Sequence, residues 1–218
     1  MHKEINMLAI VNYNAGNLTS VKRALDHLGI ENMITDKKQD LLSAHGIIFP
    51  GVGAAGSAMD YLNSKKIDTA LAECANLEKP ILGICLGSQI ILDYSPENDT
   101  QTLGLIPGQC ASFNPEFKDK QGDPINIPHM GWNSIQLRKN CLLFNGIDPE
   151  SEFYFVHTYF PQPEDEYVIG LTDYGIDFCS VLGREGFWAT QFHPEKSGRP
   201  GLKLLENFNS YCREKNHA

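Results

Sequence analysis

One of the six cysteines stands where a nucleophile would be held. Cys85 ends the apolar run Pro80-Ile81-Leu82-Gly83-Ile84 and opens Leu86-Gly87-Ser88-Gln89, with glycines two positions before and two after it. A strand that turns sharply into a helix holds one side chain out at its tip, and the flanking glycines allow close packing that a Cβ would block. Gly83-Ile84-Cys85-Leu86-Gly87 is the Gly-x-Ser-x-Gly pattern of serine hydrolases with sulfur as the nucleophile. A buried cysteine acting as a small hydrophobe is the competing reading. Further along, Phe187-Trp188-Ala189-Thr190-Gln191-Phe192 predicts a strand that runs into His193-Pro194-Glu195. Residues two apart in extended chain point to one side, about 6 to 7 Å along the strand, so the Glu195 carboxylate can reach the His193 ring. His193 would take the thiol proton from Cys85, while Glu195 fixes the ring tautomer and stabilises the imidazolium. Taken alone, His-Pro-Glu also reads as a surface His and Glu at a turn.

These side chains need a rigid frame, and the first half of the chain alternates buried strands with amphipathic helices. That is the pattern of a parallel sheet covered on both faces. Met7 to Val11 predicts the first strand; Asn17 would cap a helix with Leu18, Val21, Leu25 and Leu28 on one face, stopped by Gly29. Glu31 to Thr35 and Gly46 to Phe49 predict the next two strands. A glycine-rich loop and two helices then precede the Pro80 to Ile84 strand. From about Leu103 to Glu195 the pattern becomes short strands with frequent turns, among them Phe153 to Tyr159, Tyr167 to Thr172 and Phe178 to Leu182. The fold class expected is α/β, a mainly parallel sheet with an antiparallel or mixed extension, ended by a helix from Gly201 to about Arg213.

Composition fits one enzyme domain over residues 1–218, since 42% hydrophobic content in that length can bury a core without disulfides or metals. The cysteines, at 74, 85, 110, 141, 179 and 212, show no Cys-x-x-Cys spacing, and the N-terminus lacks the basic and long apolar regions of a secretory signal. Reduced thiols in the cytoplasm are therefore expected. No uncharged apolar run approaches the roughly 20 residues that span a bilayer. A net charge of -9 argues against a nucleic-acid surface, and Lys37-Lys38 and Lys65-Lys66 are short solvated pairs.

Two other patterns carry competing chemistry. Gly51-Val52-Gly53-Ala54-Ala55-Gly56 satisfies the dinucleotide fingerprint, but the next strand ends at Cys85 and Asp68 falls in a helix, so the required acidic residue is missing. His129 and His157 could join Cys85 as zinc ligands, yet neither a His-Glu-x-x-His nor a paired-cysteine spacing is present, and no metal or cofactor is expected. Gln89 lies one helical turn after Cys85 on the same face, where its amide could hold a substrate's carboxylate or amino group.

The segments around Cys85 and His193, Gly83-Ile84-Cys85-Leu86-Gly87-Ser88-Gln89 and Gln191-Phe192-His193-Pro194-Glu195, resemble the class I glutamine amidotransferases. Tyr13-Asn14-Ala15-Gly16-Asn17, Pro50-Gly51-Val52-Gly53, Pro128-His129-Met130-Gly131-Trp132-Asn133 and Phe155-Val156-His157-Thr158-Tyr159 are similar to the glutaminase subunits of imidazole glycerol phosphate synthases. The resemblance implies a three-layer, flavodoxin-like fold and hydrolysis of L-glutamine by Cys85, His193 and Glu195. It also implies an oxyanion hole from Leu86 and the Val52 or Gly53 N–H, with Gly51, Gln89, Glu97, Thr158 and Tyr159 around the substrate. Ammonia would pass to a (β/α)8 cyclase subunit in a heterodimer that makes imidazole glycerol phosphate and AICAR for histidine biosynthesis. Asn14, Asn17, Trp132 and Lys196 would lie at or near that interface, although by base rate Trp132 reads as core. Ser88, Ala55 and Asn14 depart from the family's more frequent Met, aromatic and Gly. These departures leave open a paralogous glutaminase feeding a sugar amidotransferase, and a cysteine hydrolase or inactive binding protein on the same fold.

Overall fold

The computed structural model describes residues 5–13, 18–119 and 121–216, with side chains from Met7 onward; Asn14 and Asn17 lie outside the described residues. The first half runs β1 (Ile5–Val11), α1 (Leu18–His27), β2 (Asn32–Thr35), α2 (Lys38–Ser43), β3 (Ala44–Gly51), α3 (Ala55–Lys65), α4 (Ile67–Asn76), β4 (Ile81–Cys85) and α5 (Leu86–Ile90). Strands dominate the second half: β5 (Tyr94–Ser95), β6 (Thr100–Gln101), β7 (Gly108–Ser112), β8 (His129–Ser134) and β9 (Gln136–Leu137). After them come β10 (Glu152–His157), β11 (Tyr159–Pro163), β12 (Val168–Asp173), β13 (Asp177–Arg184), β14 (Phe187–Thr190) and a closing helix, α6 (Gly198–Lys215).

An eight-stranded sheet, in the order β2-β1-β3-β4-β14-β13-β12-β9, forms the middle layer. Its first five strands are parallel, and β13, β12 and β9 extend it antiparallel. All eight residues of β3 and all five of β4 are buried, as expected of central strands covered on both faces. Alternation along each strand feeds two cores. Ala9, Val11, Ile47 and Phe49 pack with Leu62, Ile67 and Leu71 of α3 and α4 on one face. Leu8, Ile10, Ile48 and Leu82 pack with Val21 and Leu25 of α1 and Leu204, Leu205 and Phe208 of α6 on the other. This is the three-layer α/β class expected.

Local differences have physical causes. Helix α2 has no counterpart among the expected elements: it spans six residues and buries only Leu41 and Ser43, too little for a periodic pattern to register. The segment Phe153 to Tyr159 is not one strand. It breaks at Thr158, where β10, paired with β8 as a two-stranded ribbon, gives way to β11, which joins β7 in a four-stranded sheet. Strand β14 stops at Thr190, and α6 begins three residues before Gly201.

Candidate active site

The carboxyl ends of β3, β4 and β14 meet in the middle of the sheet, with Gly51 of β3 in register with Cys85 of β4 and Thr190 of β14 with Ile84. Cys85 adopts φ 53° and ψ −109°, a conformation that L residues avoid, at the junction of β4 and α5. The neighbouring glycines are required by contact. A Cβ on Gly87 would lie 1.9 Å from the Phe49 carbonyl oxygen, and one on Gly83 would meet the Ala189 Cβ at 3.0 Å. Ser88 donates its hydroxyl to the Cys85 carbonyl at 2.7 Å and so ties the turn to the helix. A Cβ on Gly51 would lie 1.8 Å from the Tyr13 hydroxyl oxygen.

His193 and Glu195 do meet, but not along an extended strand. Pro194–Lys196 is a 3-10 turn in which the Lys196 N–H donates to the His193 carbonyl at 3.0 Å. That turn brings His193 Nδ1 to 2.7 Å from Glu195 Oε1, with both side chains 2% exposed. The turn is anchored from below: the Ser197 hydroxyl donates to the His193 carbonyl and accepts from the Tyr154 N–H, while the His193 N–H donates to the Tyr154 carbonyl. With Nδ1 held by a carboxylate, the ring's other nitrogen, Nε2, is free of any hydrogen bond, as is Glu195 Oε2. Burial alone would lower the His193 pKa. The charge of the Cys85 sulfur and the Glu195 carboxylate outweigh it and hold the imidazolium well above its ordinary range. Among the other cysteines, burial pushes Cys74 and Cys141 up to about 11 and Cys110 and Cys179 up to about 12, and it raises Cys212 as well. These five thiols stay protonated and unreactive near neutral pH.

Cys85 opens onto a cavity of about 370 Å³ that Val52, Gly53, Leu86, Gln89, Glu97, Thr158 and Tyr159 also line. Seven residues expected at the site thus share one space with the sulfur; Gly51, also expected around the substrate, does not line it and lies beside Cys85 on the neighbouring strand. Consecutive residues 156 to 159 line the cavity because the chain bends at Thr158; a straight strand would turn every second side chain away. Glu97 Oε2 accepts from the Ala55 N–H at 2.7 Å, placing a carboxylate at the start of α3, which has no side-chain cap of its own. Gln89 donates both amide hydrogens inward, to the Tyr159 carbonyl at 2.8 Å and to Gln191 Oε1 at 2.9 Å. Its Oε1 is therefore the atom left for a ligand, and it can only accept.

The remaining candidates divide. Trp132 is 52% exposed, so the core expectation for it fails; in the β8–β10 ribbon it alternates with inward residues and points out beside Met130. Its ring lies 5.9 Å from that of Tyr154, and Lys196 Nζ lies 5.8 Å above the same Tyr154 ring, so Trp132 and Lys196 share one surface. Sequence reasoning missed Gln191 and His157 as site residues. Gln191 Nε2 reaches the Cys85 sulfur at 3.7 Å, and a polar residue at the buried end of an apolar strand was the available signal. His129 and His157, candidate zinc ligands by residue type, instead hydrogen-bond each other, Nδ1 to Nε2 at 3.1 Å. Among the described residues no group of three His, Cys, Asp or Glu could hold a metal ion, and no helix is long and apolar enough to cross a membrane.

The pattern of the family described as "Glutamine amidotransferase class-I" matches residues 9–210. The fold agrees: a solved structure described as a glutamine amidotransferase superposes with TM-score 0.71 at 18% identity, covering 94% of this chain and 98% of its own. The structure of PurLQS from Thermotoga maritima superposes with TM-score 0.69 at 20% identity, covering 97% and 99%. Sequence similarity is much closer to the imidazole glycerol phosphate synthase subunit HisH of Maridesulfovibrio salexigens, 62% identical over 97% of this chain and 100% of that one. The HisH subunit of Dehalococcoides mccartyi strain 195 is 45% identical over 93% and 96%. The chain belongs to the class-I glutamine amidotransferases and, among them, to the family of HisH subunits of imidazole glycerol phosphate synthase.

Proposed function

We infer that residues 1–218 form one glutaminase domain that supplies ammonia to an imidazole glycerol phosphate synthase in histidine biosynthesis. The observation that carries the chemistry is an elbow cysteine that opens onto the cavity and acts on a buried histidine whose Nδ1 is held by a carboxylate. His193 Nε2 receives the Cys85 proton, and the sulfur attacks the side-chain amide carbon of L-glutamine. Negative charge then gathers on the former carbonyl oxygen, where the Leu86 N–H and the Val52 or Gly53 N–H receive it; each such donor is worth about 2.7 to 4 kcal/mol. The imidazolium protonates the departing nitrogen, and water releases glutamate from the thioester.

Substrate orientation is set by the polar atoms that remain. Gln89 Oε1 and the Glu97 carboxylate suit the α-ammonium group of glutamine, and Thr158 and Tyr159 form the opposing wall. This narrows the role of Gln89: an acceptor repels a carboxylate, so it holds the amino end. Ammonia would protonate in bulk water, so direct delivery to a partner's acceptor site fits the reading. That partner is read as a (β/α)8 cyclase subunit in a cytoplasmic heterodimer, docked near Trp132 and Lys196 together with Asn14 and Asn17. Glutamate release measured for the chain alone, with the cyclase, and with cyclase plus its nucleotide ligand tests the reading. A large rise in the third condition is expected; stimulation by a sugar amidotransferase and not by the cyclase would move the chain to the surface-polysaccharide branch, and no release in any condition would reject a glutaminase.

A further inference from the structure

Two buried imidazoles stand behind the glutamine cavity with no part in the cysteine chemistry. His129 and His157 face each other across the β8–β10 ribbon, directly in register, and their side chains meet at 3.1 Å. His157 lines the cavity; His129 does not. We propose that His129 is a positioning residue for the substrate, acting through His157 on the Tyr159 carbonyl that orients Gln89. The proposal rests on the glutaminase reading and extends it to a residue that touches neither substrate nor sulfur.

Donors and acceptors fix the state of both rings. His157 Nδ1 lies 2.8 Å from the Tyr159 carbonyl oxygen, which can only accept, so Nδ1 carries the hydrogen. In a neutral ring Nε2 is then a lone pair, and it faces His129 Nδ1. His129 must therefore hold its own hydrogen on Nδ1 and donate it. One carbonyl thus dictates the tautomer of both rings. The same carbonyl also accepts from Gln89 Nε2, whose second hydrogen goes to Gln191 Oε1, and Gln191 Nε2 reaches the Cys85 sulfur. An unbroken line of hydrogen bonds runs from His129 to the nucleophile, and its direction at Gln89 is what leaves Oε1 for the substrate.

Neutrality of the pair is built into its surroundings. Burial drives His157 down to about 3, reinforced by the charge of His129 and of His193, and burial drives His129 down to about 4. Phe113, Phe155 and Phe178 pack around both rings, and Tyr174 stacks on His129 at 3.9 Å. Removing the His129 donor would leave the His157 lone pair against this aromatic wall. A buried acceptor without a partner is costly, and rotation of His157, or a shift of its hydrogen from Nδ1 to Nε2, would relieve it at the expense of the Tyr159 carbonyl.

The experiment uses the chain with its cyclase and nucleotide ligand, and glutamine as the varied substrate. His129→Leu should raise KM for glutamine about tenfold with kcat changed less than about twofold, since one net hydrogen bond in the binding network is lost. His129→Asn, whose amide nitrogen sits where Nδ1 stood, should bring KM back to within about twofold of wild type. His129→Gln, which misplaces that donor, should behave like leucine and serves in its place if the leucine variant does not fold. The nitrogen NMR spectrum of 15N-histidine-labelled wild-type chain at pH 6.5 should show both rings neutral with hydrogen on Nδ1. Unchanged KM in the leucine and glutamine variants, failure of asparagine to rescue, or an Nε2–H ring at either position would overturn the assignment. Wild type that releases no glutamate would strike the glutaminase reading instead, a different result from active wild type with indifferent variants.

Discussion

Replacing Glu195 with glutamine changes a single atom type at a contact between two side chains that are each 2% exposed. In the wild type a carboxylate 2.7 Å from His193 Nδ1 can only accept, so the ring's hydrogen is pinned there and Nε2 is left as the base facing Cys85. The amide of glutamine can present either oxygen or nitrogen. If it turns its NH2 to the ring, Nδ1 becomes the acceptor, the hydrogen moves to Nε2, and no lone pair remains to take the thiol proton. The charge is lost in either orientation. Because Glu195 is one of the groups that raise the His193 pKa, its removal lowers that pKa and weakens the imidazolium, at about 1.4 kcal/mol for each pKa unit. Wrong tautomer and lost charge together cost about 10⁴ in kcat at the equivalent position of a serine-protease triad, so a fall of about 10³ to 10⁴ is expected here. The sign for pH is set by the same shift: the activity that depends on protonated His193 is lost as pH rises through its folded pKa, and in Glu195→Gln that alkaline limb moves to lower pH. Steady-state glutamate production over a pH series, with saturating glutamine, cyclase and ligand, measures both effects. A loss under about tenfold, or an alkaline limb that does not move, would refute the assigned role of Glu195.

Cys85→Ser should abolish glutaminase activity while the chain keeps its thermal transition, and a glutamine-analogue electrophile should label Cys85; modification of any of the five cysteines with raised pKa would contradict the assignment. Gly87→Ala should destabilise the fold by about 1 to 3 kcal/mol, since the new methyl would lie 1.9 Å from the Phe49 carbonyl oxygen on the neighbouring strand; an unchanged urea midpoint would show that the elbow can relax. Acid should destabilise the protein through the buried histidine pair. Both pKa values are depressed, to about 4 and about 3, so between an ordinary pKa near 6.5 and those values the unfolded chain binds the extra protons. The pair's contribution is present above about pH 6.5 and is lost as pH falls, with a slope of about 1.4 kcal/mol per pH unit for each ring. Urea midpoints at pH 7, 6 and 5 should show this, and His129→Asn should flatten the slope by about half; parallel slopes would exclude the pair as its source.

The proposed nucleophile, base and carboxylate were singled out from the sequence because each announces itself locally. Glycines at both sides of Cys85 mark a close approach of backbone to backbone, and His193 and Glu195 are near enough in the chain that either a strand end or a turn joins them. The layered sheet was legible for the same reason, since burial on two faces leaves continuous apolar runs such as Ile47-Ile48-Phe49 and Ile81-Leu82. Tertiary structure alone decided which turn joins His193 to Glu195, because a 3-10 turn and an extended strand both satisfy a spacing of two. It also decided that Trp132 faces outward, since the β8–β10 ribbon leaves one of its faces uncovered, whereas composition sees only a large aromatic. The hydrogen bonds that link Gln89, Tyr159, His157, His129 and Gln191 were not legible in the sequence, although Gln89 and Tyr159 were expected around the substrate. Hydrogen bonds between residues far apart in the chain have no period and no motif; they exist only once α5, the ribbon and the end of β14 have been packed together around the same cavity.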